Sequence, residues 1–341
     1  MKKRIYLTVD TECHDIGRIN QYIYGKSSDG KEHGLREILE IGKEFGIPIN
    51  FFLDVSECRR YGDKYIQEIV DLINQYRQPI YFHFHPNFVS GDDSRSYLWQ
   101  YSKEEQKRLI HQGISDYIKF CGKKEQIFFR AGRYGINDDT IQVLNELDIP
   151  IVDLSYSSGN GKGMCHLSKE KYGYHNIPGY YNGIIIIPNS SYIGFNYFGK
   201  VHSFLVNVAQ TPYREFKRFI DSTKLNDVVY TMHSWDLIKK WFFCKDKVWG
   251  NSNTKKRFQK CIDYAKEKGY VFSKLDDFSM ENNSVDELVN LCSGGGKIWG
   301  LQYNFIRFWG IAHLTPKYFM IYAIFALLIL LAFIGTLLIL M

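Results

Sequence analysis

The feature that most constrains the fold is an alternation of short apolar runs with amphipathic segments between residues 1 and about 280. Apolar runs of this length, flanked by polar or turn residues, favour β-strands. Strands that alternate with helices predict a parallel sheet with helical crossovers, either a barrel or an open sheet of about seven strands. The strand-like runs are Ile5–Val9, Ile47–Leu53, Pro79–Phe84, Gln126–Phe129, Ile149–Leu154, Gly183–Pro188 and Val228–His233.

Amphipathic segments between several of these runs predict helices. They place apolar residues three and four positions apart, which is the spacing of one helical face. A helix-capping residue, Asn137, stands before one of them, and Thr211-Pro212 stands before another. The predicted helices are Leu35–Phe45, Lys64–Tyr76, the segment after Asn137, Tyr213–Lys224 and Asn253–Lys268.

Two carboxylates, Asp10 and Glu12, stand at the end of the first predicted strand. Residues two positions apart on a strand face the same side, so both acids should project together. Two neighbouring carboxylates repel each other unless a metal ion or a shared proton holds them. In barrels of this general type the chemistry lies at the carboxyl ends of the strands, which is where these two acids are.

Two histidines, His83 and His85, stand at the end of the third predicted strand and face one side in the same way. Neutral imidazoles suit zinc or another divalent transition metal, such as Co, Ni, Mn or Fe, and a carboxylate completes the ligand set. A single histidine is more often structural than a ligand. A histidine pair at one strand end and an acidic pair at another favour metal binding.

Other strand ends also carry polar side chains. The fourth run leads into Arg130 through Gly135, the fifth ends at Asp153, and the last ends at His233-Ser234-Trp235. Structural interpretations exist for three of these residues: Arg130 could form a plain ion pair at a barrel rim, Asp153 could cap a helix, and Trp235 could pack in the core. Asp10 and His233 are the hardest to explain by packing.

Taken together, the strand-end motifs resemble those of the polysaccharide deacetylases of the NodB-homology type, carbohydrate esterase family 4. The resemblance covers roughly residues 4 to 280 and implies a distorted NodB-like (β/α) barrel. This sequence departs from the usual family pattern in two places: its acids are separated by one residue, and its histidines are two positions apart rather than four. The similar segments are Thr8–Glu12, His83–Pro86, Arg130–Gly135, Asp153–Ser155 and Met232–Ser234.

The resemblance implies a role for each site residue. Glu12, His83 and His85 would hold the metal, although one of the two histidines could instead orient substrate. Asp10 would be the general base that deprotonates the attacking water, and His233 would protonate the leaving amine. Arg130 would pair with Asp10 and Asp153 would hold the His233 ring. The implied substrate-binding residues are Arg133, Tyr134 and Trp235.

The C-terminal residues 318–341 contain no charged side chain and are long enough to cross a bilayer core of about 30 Å at about 1.5 Å per residue. They predict one transmembrane helix, preceded by a linker and aromatic juxtamembrane segment over 281–317; the alternative is a buried core helix. Arg307 and Lys317 precede the span and no cation follows it, so the positive-inside rule places the catalytic domain in the cytoplasm. Seven scattered cysteines without a Cys-x-x-Cys pair also favour a reducing compartment.

These observations predict a metal-dependent hydrolase that removes acetyl groups from an N-acetylated sugar. The anchor favours a glycan precursor at the membrane, lipid-linked rather than a soluble nucleotide sugar. The net charge of +6 is dispersed, so nothing indicates a nucleic-acid partner. The alternative is a non-catalytic glycan-binding or scaffold protein on a deacetylase fold, tethered to a glycan-assembly complex. Removal of O-linked acetyl groups would use the same residues.

Overall fold

The structure is a computed structural model, which describes residues 2–147, 149–156, 164–168, 176–197, 200–241, 244–280 and 291. Its strands are β1 (Arg4–Thr11), β2 (Asn50–Leu53), β3 (Ile80–Phe84), β4 (Ile127–Ala131), β5 (Ile151–Asp153), β6 (Gly179–Tyr181), β7 (Ile184–Ile186), β8 (Ser191–Tyr197), β9 (Lys200–Leu205), β10 (Asp227–His233), β11 (Ile238–Trp241), β12 (Cys244–Gly250) and β13 (Val271–Phe272). Its α-helices are α1 (Leu35–Phe45), α2 (Cys58–Tyr61), α3 (Asp63–Gln75), α4 (Pro86–Ser90), α5 (Lys103–Cys121), α6 (Asp138–Asn145), α7 (Tyr213–Ser222) and α8 (Ser252–Glu267).

The main sheet has the strand order β10-β1-β2-β3-β4-β5-β7-β6. Every neighbouring pair from β10 to β7 is parallel, and only β6 runs antiparallel to its neighbour. The short β13 adds a parallel pairing at the start of β1. The predicted parallel α/β sheet is therefore confirmed. Because β10 and β6 stand at opposite ends of this order, the sheet is a partial barrel rather than a closed one.

The two faces of the sheet carry different apolar clusters. On β1, Ile5, Leu7 and Val9 belong to a large cluster that includes the apolar sides of the helices. Tyr6 lies on the opposite face, in a smaller cluster. Side chains alternate along a strand, so the polar residues at the strand ends continue the face of this smaller cluster. The residues that share this face are Tyr6 with Asp10, Tyr81 with His83, Phe128 with Arg130, and Val229 with His233.

The helix predictions agree with the structure to within about two residues at most ends, but α5 was not among them. Its start is fixed by a capping box, in which the Ser102 side chain accepts from the Glu105 backbone N–H and the Glu105 side chain accepts from the Ser102 N–H. Such a Ser-x-x-Glu pattern is a sequence signal for a helix N-terminus. The helix could thus have been found from residues 102–105.

Two antiparallel hairpins, β8 with β9 and β11 with β12, interrupt the strand–helix alternation. They were not predicted. Strands buried on both faces of a parallel sheet show continuous apolar runs, whereas hairpin strands covered on one face do not. The runs that identified the main sheet were therefore absent here.

Of the helices that the structure describes, none combines the length and the apolar composition needed to cross a membrane. The predicted transmembrane helix, residues 318–341, lies outside the described residues. The same is true of the predicted linker 281–317 except for Leu291, whose backbone bonds to Ile193 and to the Arg218 side chain.

Candidate active site

Glu12, His83 and His85 converge just beyond the carboxyl ends of β1 and β3. Oε2 of Glu12 lies 3.2 Å from Nε2 of His83 and is in contact with Nε2 of His85. One possible ligand atom from each residue lies within 4.8 Å of the other two. None of these side chains is more than 6 % exposed. Two imidazoles and one carboxylate at this spacing form a donor set that zinc and similar divalent ions accept.

Unsatisfied nitrogens in this cluster support the same assignment. Nε2 of His85 and Nδ1 of His83 are buried, and neither makes a well-formed hydrogen bond among the described residues, although Nε2 of His85 is in contact with Oε2 of Glu12. A buried polar atom without a partner costs about 1–3 kcal/mol. A divalent ion held by Nε2 of His85 would satisfy the first of these atoms, so the residues present fit a metal. No such argument follows for Nδ1 of His83, which lies on the other edge of its ring.

The surroundings within this cluster shift the pKa values of its members in different directions. Burial by itself would raise the pKa of Glu12, but the charge of His85 and contacts with His14 and His83 hold that pKa well below its usual range. Burial lowers the pKa of His85. Burial also opposes the charged form of His83, but nearby Asp10 and Glu12 raise its pKa to about 8. A metal ion binds an ionised carboxylate and neutral imidazoles, so a bound ion would replace the proton that the raised pKa places on His83.

The second carboxylate on β1, Asp10, has a different partner. Its Oδ1 accepts a 2.5 Å hydrogen bond from Nη1 of Arg130, in an ion pair between a fully buried guanidinium and a nearly buried carboxylate. Arg130 also donates to Thr8 and Asn189, and its guanidinium lies 4.3 Å from the centre of the Phe52 ring. Asp10 is thus held as one member of a buried hydrogen-bonded network.

The Arg130–Asp10 pair also depends on the curvature of the sheet. Arg130 is on β4 and Asp10 is on β1, with β2 and β3 between them. In a flat sheet three strand spacings would separate them by about 14 Å, which exceeds the reach of an arginine side chain. The pair forms because the sheet curves into a partial barrel and its inner face becomes concave.

His233 lies beside Asp10 through strand pairing, because the two residues are in register across β10 and β1. Its ring stacks on Trp235, with centroids 4.5 Å apart and planes at 22°. Its Nδ1 lies 3.9 Å from Oδ1 of Asp236, and its backbone N–H donates to Oδ2 of the same carboxylate. His233 is about one-third exposed, so it can be reached from the mouth of the site.

Asp153 does not hold the His233 ring, which corrects the role that the resemblance implied. Val152 and Leu154 lie in the smaller apolar cluster on the inner face, so Asp153 between them points to the opposite face of β5. Its Oδ1 accepts from the Ser155 N–H, and its Oδ2 has no hydrogen-bond partner among the described residues. Burial raises the pKa of Asp153 to about 7. Asp236 takes the place beside His233 instead.

The turn after β4 places Gly132, Arg133 and Tyr134 at the rim. A Cβ at Gly132 would overlap the His85 ring, so glycine is needed for this close approach. Arg133 and Tyr134 have φ values of 55° and 56°, a conformation that side-chain-bearing residues rarely adopt. Arg133 is exposed, with its guanidinium 5.7 Å from the Tyr97 ring. The Tyr134 hydroxyl feels the charges of Asp10 and other site groups, and burial raises its pKa.

No family model and no curated protein sequence matches this chain. Among solved structures, a protein from Mycobacterium smegmatis described as a polysaccharide deacetylase matches with a TM-score of 0.50 and 15 % identity. The match covers 80 % of this chain and 88 % of that one. This chain has the polysaccharide deacetylase fold.

Two further structures are similar over most of the chain. PdaA from Bacillus subtilis, a family 4 carbohydrate esterase, has a TM-score of 0.43 and 14 % identity, over 83 % of this chain and 82 % of its own. BA3943 from Bacillus anthracis, a pseudoenzyme of the same family, has a TM-score of 0.42 and 13 % identity, over 85 % and 69 %. One fold can host several functions, so the function of this chain has to be argued from its site.

Two buried acids hold the backbone of the segments that carry the candidate metal ligands. These acids were not singled out in the sequence analysis. They lie in the turn after β2, where Oδ2 of Asp54 accepts from the His85 backbone N–H and Oε1 of Glu57 accepts from the Cys13 N–H. Both are fully buried, and burial raises the pKa of Asp54 to about 7. Their position directly after a predicted strand was the available signal. The turn thus connects the segments that carry Glu12 and the histidines.

Two aromatic residues in the loop after β1 were also missed. Nε2 of His14 lies 3.3 Å from Oε1 of Glu12, and the His14 ring meets the His85 ring edge-on. Tyr22 lies in a π-helical turn, Asn20–Tyr24, and packs edge-on against Trp235. For His14 the signal was visible, because Asp10, Glu12 and His14 continue one alternation. For Tyr22 it was not, since a π-helical turn has no sequence pattern of this kind.

Proposed function

We propose that this chain is a metal-dependent hydrolase that removes N-acetyl groups from a sugar or glycan. The observation that carries the proposal is the convergence of Glu12, His83 and His85 beside a second, separately paired carboxylate, Asp10. A structural ion-pair network would not leave Nε2 of His85 buried against Glu12 without a well-formed hydrogen bond. The polysaccharide deacetylase fold supports a carbohydrate amide as the substrate class.

Glu12, His83 and His85 would hold the metal ion through one oxygen and two nitrogens. When bound, a divalent ion supplies Lewis-acid polarisation of a carbonyl and lowers the pKa of water. The nitrogen and oxygen donor set suits zinc, although the same donors accept cobalt, nickel, manganese and iron. The burial of all three ligands keeps bulk water from competing for these positions.

Asp10 is the general base in this proposal. It shares a strand face with Glu12, so its carboxylate opens toward the same space as the metal ligands. The guanidinium of Arg130 keeps one oxygen of Asp10 in a fixed direction and balances its charge. A base fixed in this way can take a proton from the attacking water without first reorienting, which is the geometric requirement of general base catalysis.

His233 is the general acid. Strand register places it next to Asp10, on the side of the site away from His83. Asp236 accepts from its backbone N–H and faces its ring, and Trp235 fixes the ring plane by stacking. Imidazole can carry and release a proton near neutral pH, so His233 can protonate the departing amine of the sugar.

The rim residues fit a sugar substrate. Trp235 and Tyr134 offer partly exposed aromatic rings on two sides of the cluster, and Arg133 extends from the same turn as Tyr134 into solvent. Aromatic faces can pack against the apolar face of a sugar ring, and a guanidinium can bind an anionic group such as a phosphate. These residues therefore favour an N-acetylated glycan, with an anionic substituent within reach of Arg133.

Metal analysis and acetate release together test the proposal. The full-length chain, purified in detergent, should hold about one equivalent of divalent ion and release acetate from N-acetylated oligosaccharides. Asp10→Asn should keep the ion and lose acetate release. A metal-loaded chain could instead bind N- or O-acetylated glycans but release no acetate from them. That result would contradict the proposed hydrolase activity and indicate a glycan-binding protein.

We propose a membrane location on the sequence of residues 318–341 alone, with the catalytic domain in the cytoplasm and a lipid-linked glycan precursor as substrate. Removing residues 318–341 should release the protein from sedimented membranes. External protease should leave the full chain intact in right-side-out membranes. Digestion of residues 1–280 under those conditions would reverse the orientation.

A further inference from the structure

His14 stands between the candidate metal ligands and the aromatic wall of the site. Its Nε2 lies 3.3 Å from Oε1 of Glu12, whereas the histidine nitrogens of the metal cluster approach Oε2. The two oxygens of one carboxylate therefore face different partners. An ionised carboxylate only accepts hydrogen bonds, so the His14 nitrogen that faces Oε1 can hold it only in its N–H form.

The His14 side chain is about one-third exposed, and its ring packs against other aromatic rings on more than one side. It meets the His85 ring at a centroid distance of 5.5 Å and the Tyr22 ring at 5.7 Å, both nearly perpendicular. The Trp235 ring lies 6.1 Å away. These contacts restrict the rotamers of His14, and a side chain with few rotamers loses little entropy when it holds a partner.

The segment that carries Tyr22 is itself tied to the end of β10. The hydroxyl of Ser234 donates a 2.7 Å hydrogen bond to the Tyr22 carbonyl oxygen. A side chain at Gly34 would overlap the backbone of Ile23, so the loop closes tightly at its far end. Tyr22, which contacts His14, therefore belongs to a loop between β1 and α1 whose backbone is held by specific contacts.

We propose that His14 is a positioning residue for the metal ligand Glu12. Its Nε2–H holds Oε1, which prevents the carboxylate from rotating and leaves Oε2 directed at the space between the two histidines. Partners that orient a ligand in this way are typically worth a factor of 10–100 in metal affinity. The inference rests on the proposed function only in assuming that Glu12, His83 and His85 bind a divalent ion.

Three variants of the full-length chain test the inference through metal affinity. His14→Phe keeps a ring of similar size but removes the donor, whereas His14→Gln keeps an N–H donor without an imidazole. We expect Zn²⁺ affinity, measured by competition with a chelator, to fall about 10- to 100-fold in His14→Phe. His14→Gln should stay within about threefold of the unmodified chain if a single donated hydrogen bond is what matters.

His33→Phe is a matched control, because Nδ1 of His33 lies 3.3 Å from a carboxylate oxygen of Glu37, the same distance as in the His14–Glu12 contact. It lies outside the site and should leave Zn²⁺ affinity unchanged. The visible spectrum of the Co²⁺-loaded chain separates positioning from direct ligation. In His14→Gln the spectrum should match that of the unmodified chain, since its ligands are the same.

Unchanged affinity in His14→Phe would overturn the inference, and so would equal losses in His14→Phe and His14→Gln. A changed Co²⁺ spectrum in His14→Gln would make His14 a ligand instead. A chain that binds metal with the expected His14 dependence but releases no acetate would contradict the proposed function alone. A chain that binds no divalent ion would contradict both.

Discussion

Asp10 is near the end of β1 and Glu12 follows directly after it, yet these two acids have different surroundings. Asp10 faces a buried arginine from β4, whereas Glu12 faces His83 at the end of β3, His85 directly after it, and a third histidine in its own loop. The strand alone makes the two acids equivalent, and the neighbouring elements make them different. The comparison teaches that two carboxylates close in sequence acquire different partners according to the side chains that the curved sheet brings against them.

The largest expected effect comes from removing each charge in turn. Asp10→Asn should lower acetate release by about 10²–10⁴-fold, the usual contribution of a general base, with metal content unchanged. Glu12→Gln should lower metal affinity by at least about 100-fold, since loss of a supporting partner alone reaches that value. Plasma mass spectrometry and an acetate assay measure both. Equal loss of the metal in both variants would contradict the proposed difference between Asp10 and Glu12.

Removing the arginine tests the Asp10 side of the comparison. Arg130→Met should destabilise the fold by about 3–5 kcal/mol, because the Asp10 carboxylate is then left buried without its counter-charge. Chemical denaturation measures this loss. Asp10→Asn in the same background should recover part of the stability. Equal stability of the Arg130→Met variant and the unmodified chain would mean that water reaches Asp10.

Replacing Gly132 with alanine tests the environment of Glu12. Gly132→Ala would place a Cβ in the His85 ring, so this ring must move and Zn²⁺ affinity should fall about tenfold or more. Gly17→Ala is a suitable control, because its Cβ would meet only an Asp15 oxygen at 3.2 Å. Chelator competition measures both variants. Equal affinities would show that His85 is dispensable to the site.

Asp153 is a third buried carboxylate, and it lies in neither the environment of Asp10 nor that of Glu12. Its pKa is raised to about 7 by burial, above the ordinary value near 4. The folded state therefore holds this proton more tightly than the unfolded state, and the group removes stability as the pH rises from about 4 to about 7. The slope is at most about 1.4 kcal/mol per pH unit.

Asp153→Asn should remove that part of the pH dependence. Relative to the unmodified chain, the free energy of unfolding of the variant should increase between about pH 4 and pH 7, by about 1 kcal/mol per pH unit. Denaturation midpoints at several pH values provide the measurement. A difference that does not change with pH would show that Asp153 is not the group that titrates.

Much of the sheet could be predicted from sequence because buried parallel strands leave continuous apolar runs. All seven predicted strands correspond to strands of the sheet, and the alternation that runs along β1 predicted that Asp10 and Glu12 project to one side. The convergence of β1 and β3 also followed from the rule that parallel strands end at one edge. The resemblance indicated the Arg130–Asp10 pair, which the structure contains.

The remaining features depend on orientation and on long-range closure. The direction of Asp153 could not be read from its position at a strand end, since only the burial of Val152 and Leu154 reveals which face it takes. Asp236 could not be assigned to His233 without the turn geometry after β10. The clamp of Asp54 on the His85 backbone joins residues 31 positions apart, which no local pattern specifies.

The central place of β1 in the sheet has a consequence for biosynthesis. Chains emerge from the ribosome N-terminus first, so Glu12, His83, His85 and Arg130 are available long before β10 has been made. One edge of β1 stays open until Asp227–His233 pairs with it, and Val271–Phe272 later pairs with the start of the opposite edge. A growing chain can therefore gather its candidate ligands early, but it acquires His233 only when one of its last strands docks. Hydrolytic competence would then coincide with completion of the domain, and an incomplete chain would bind metal without acting on substrate.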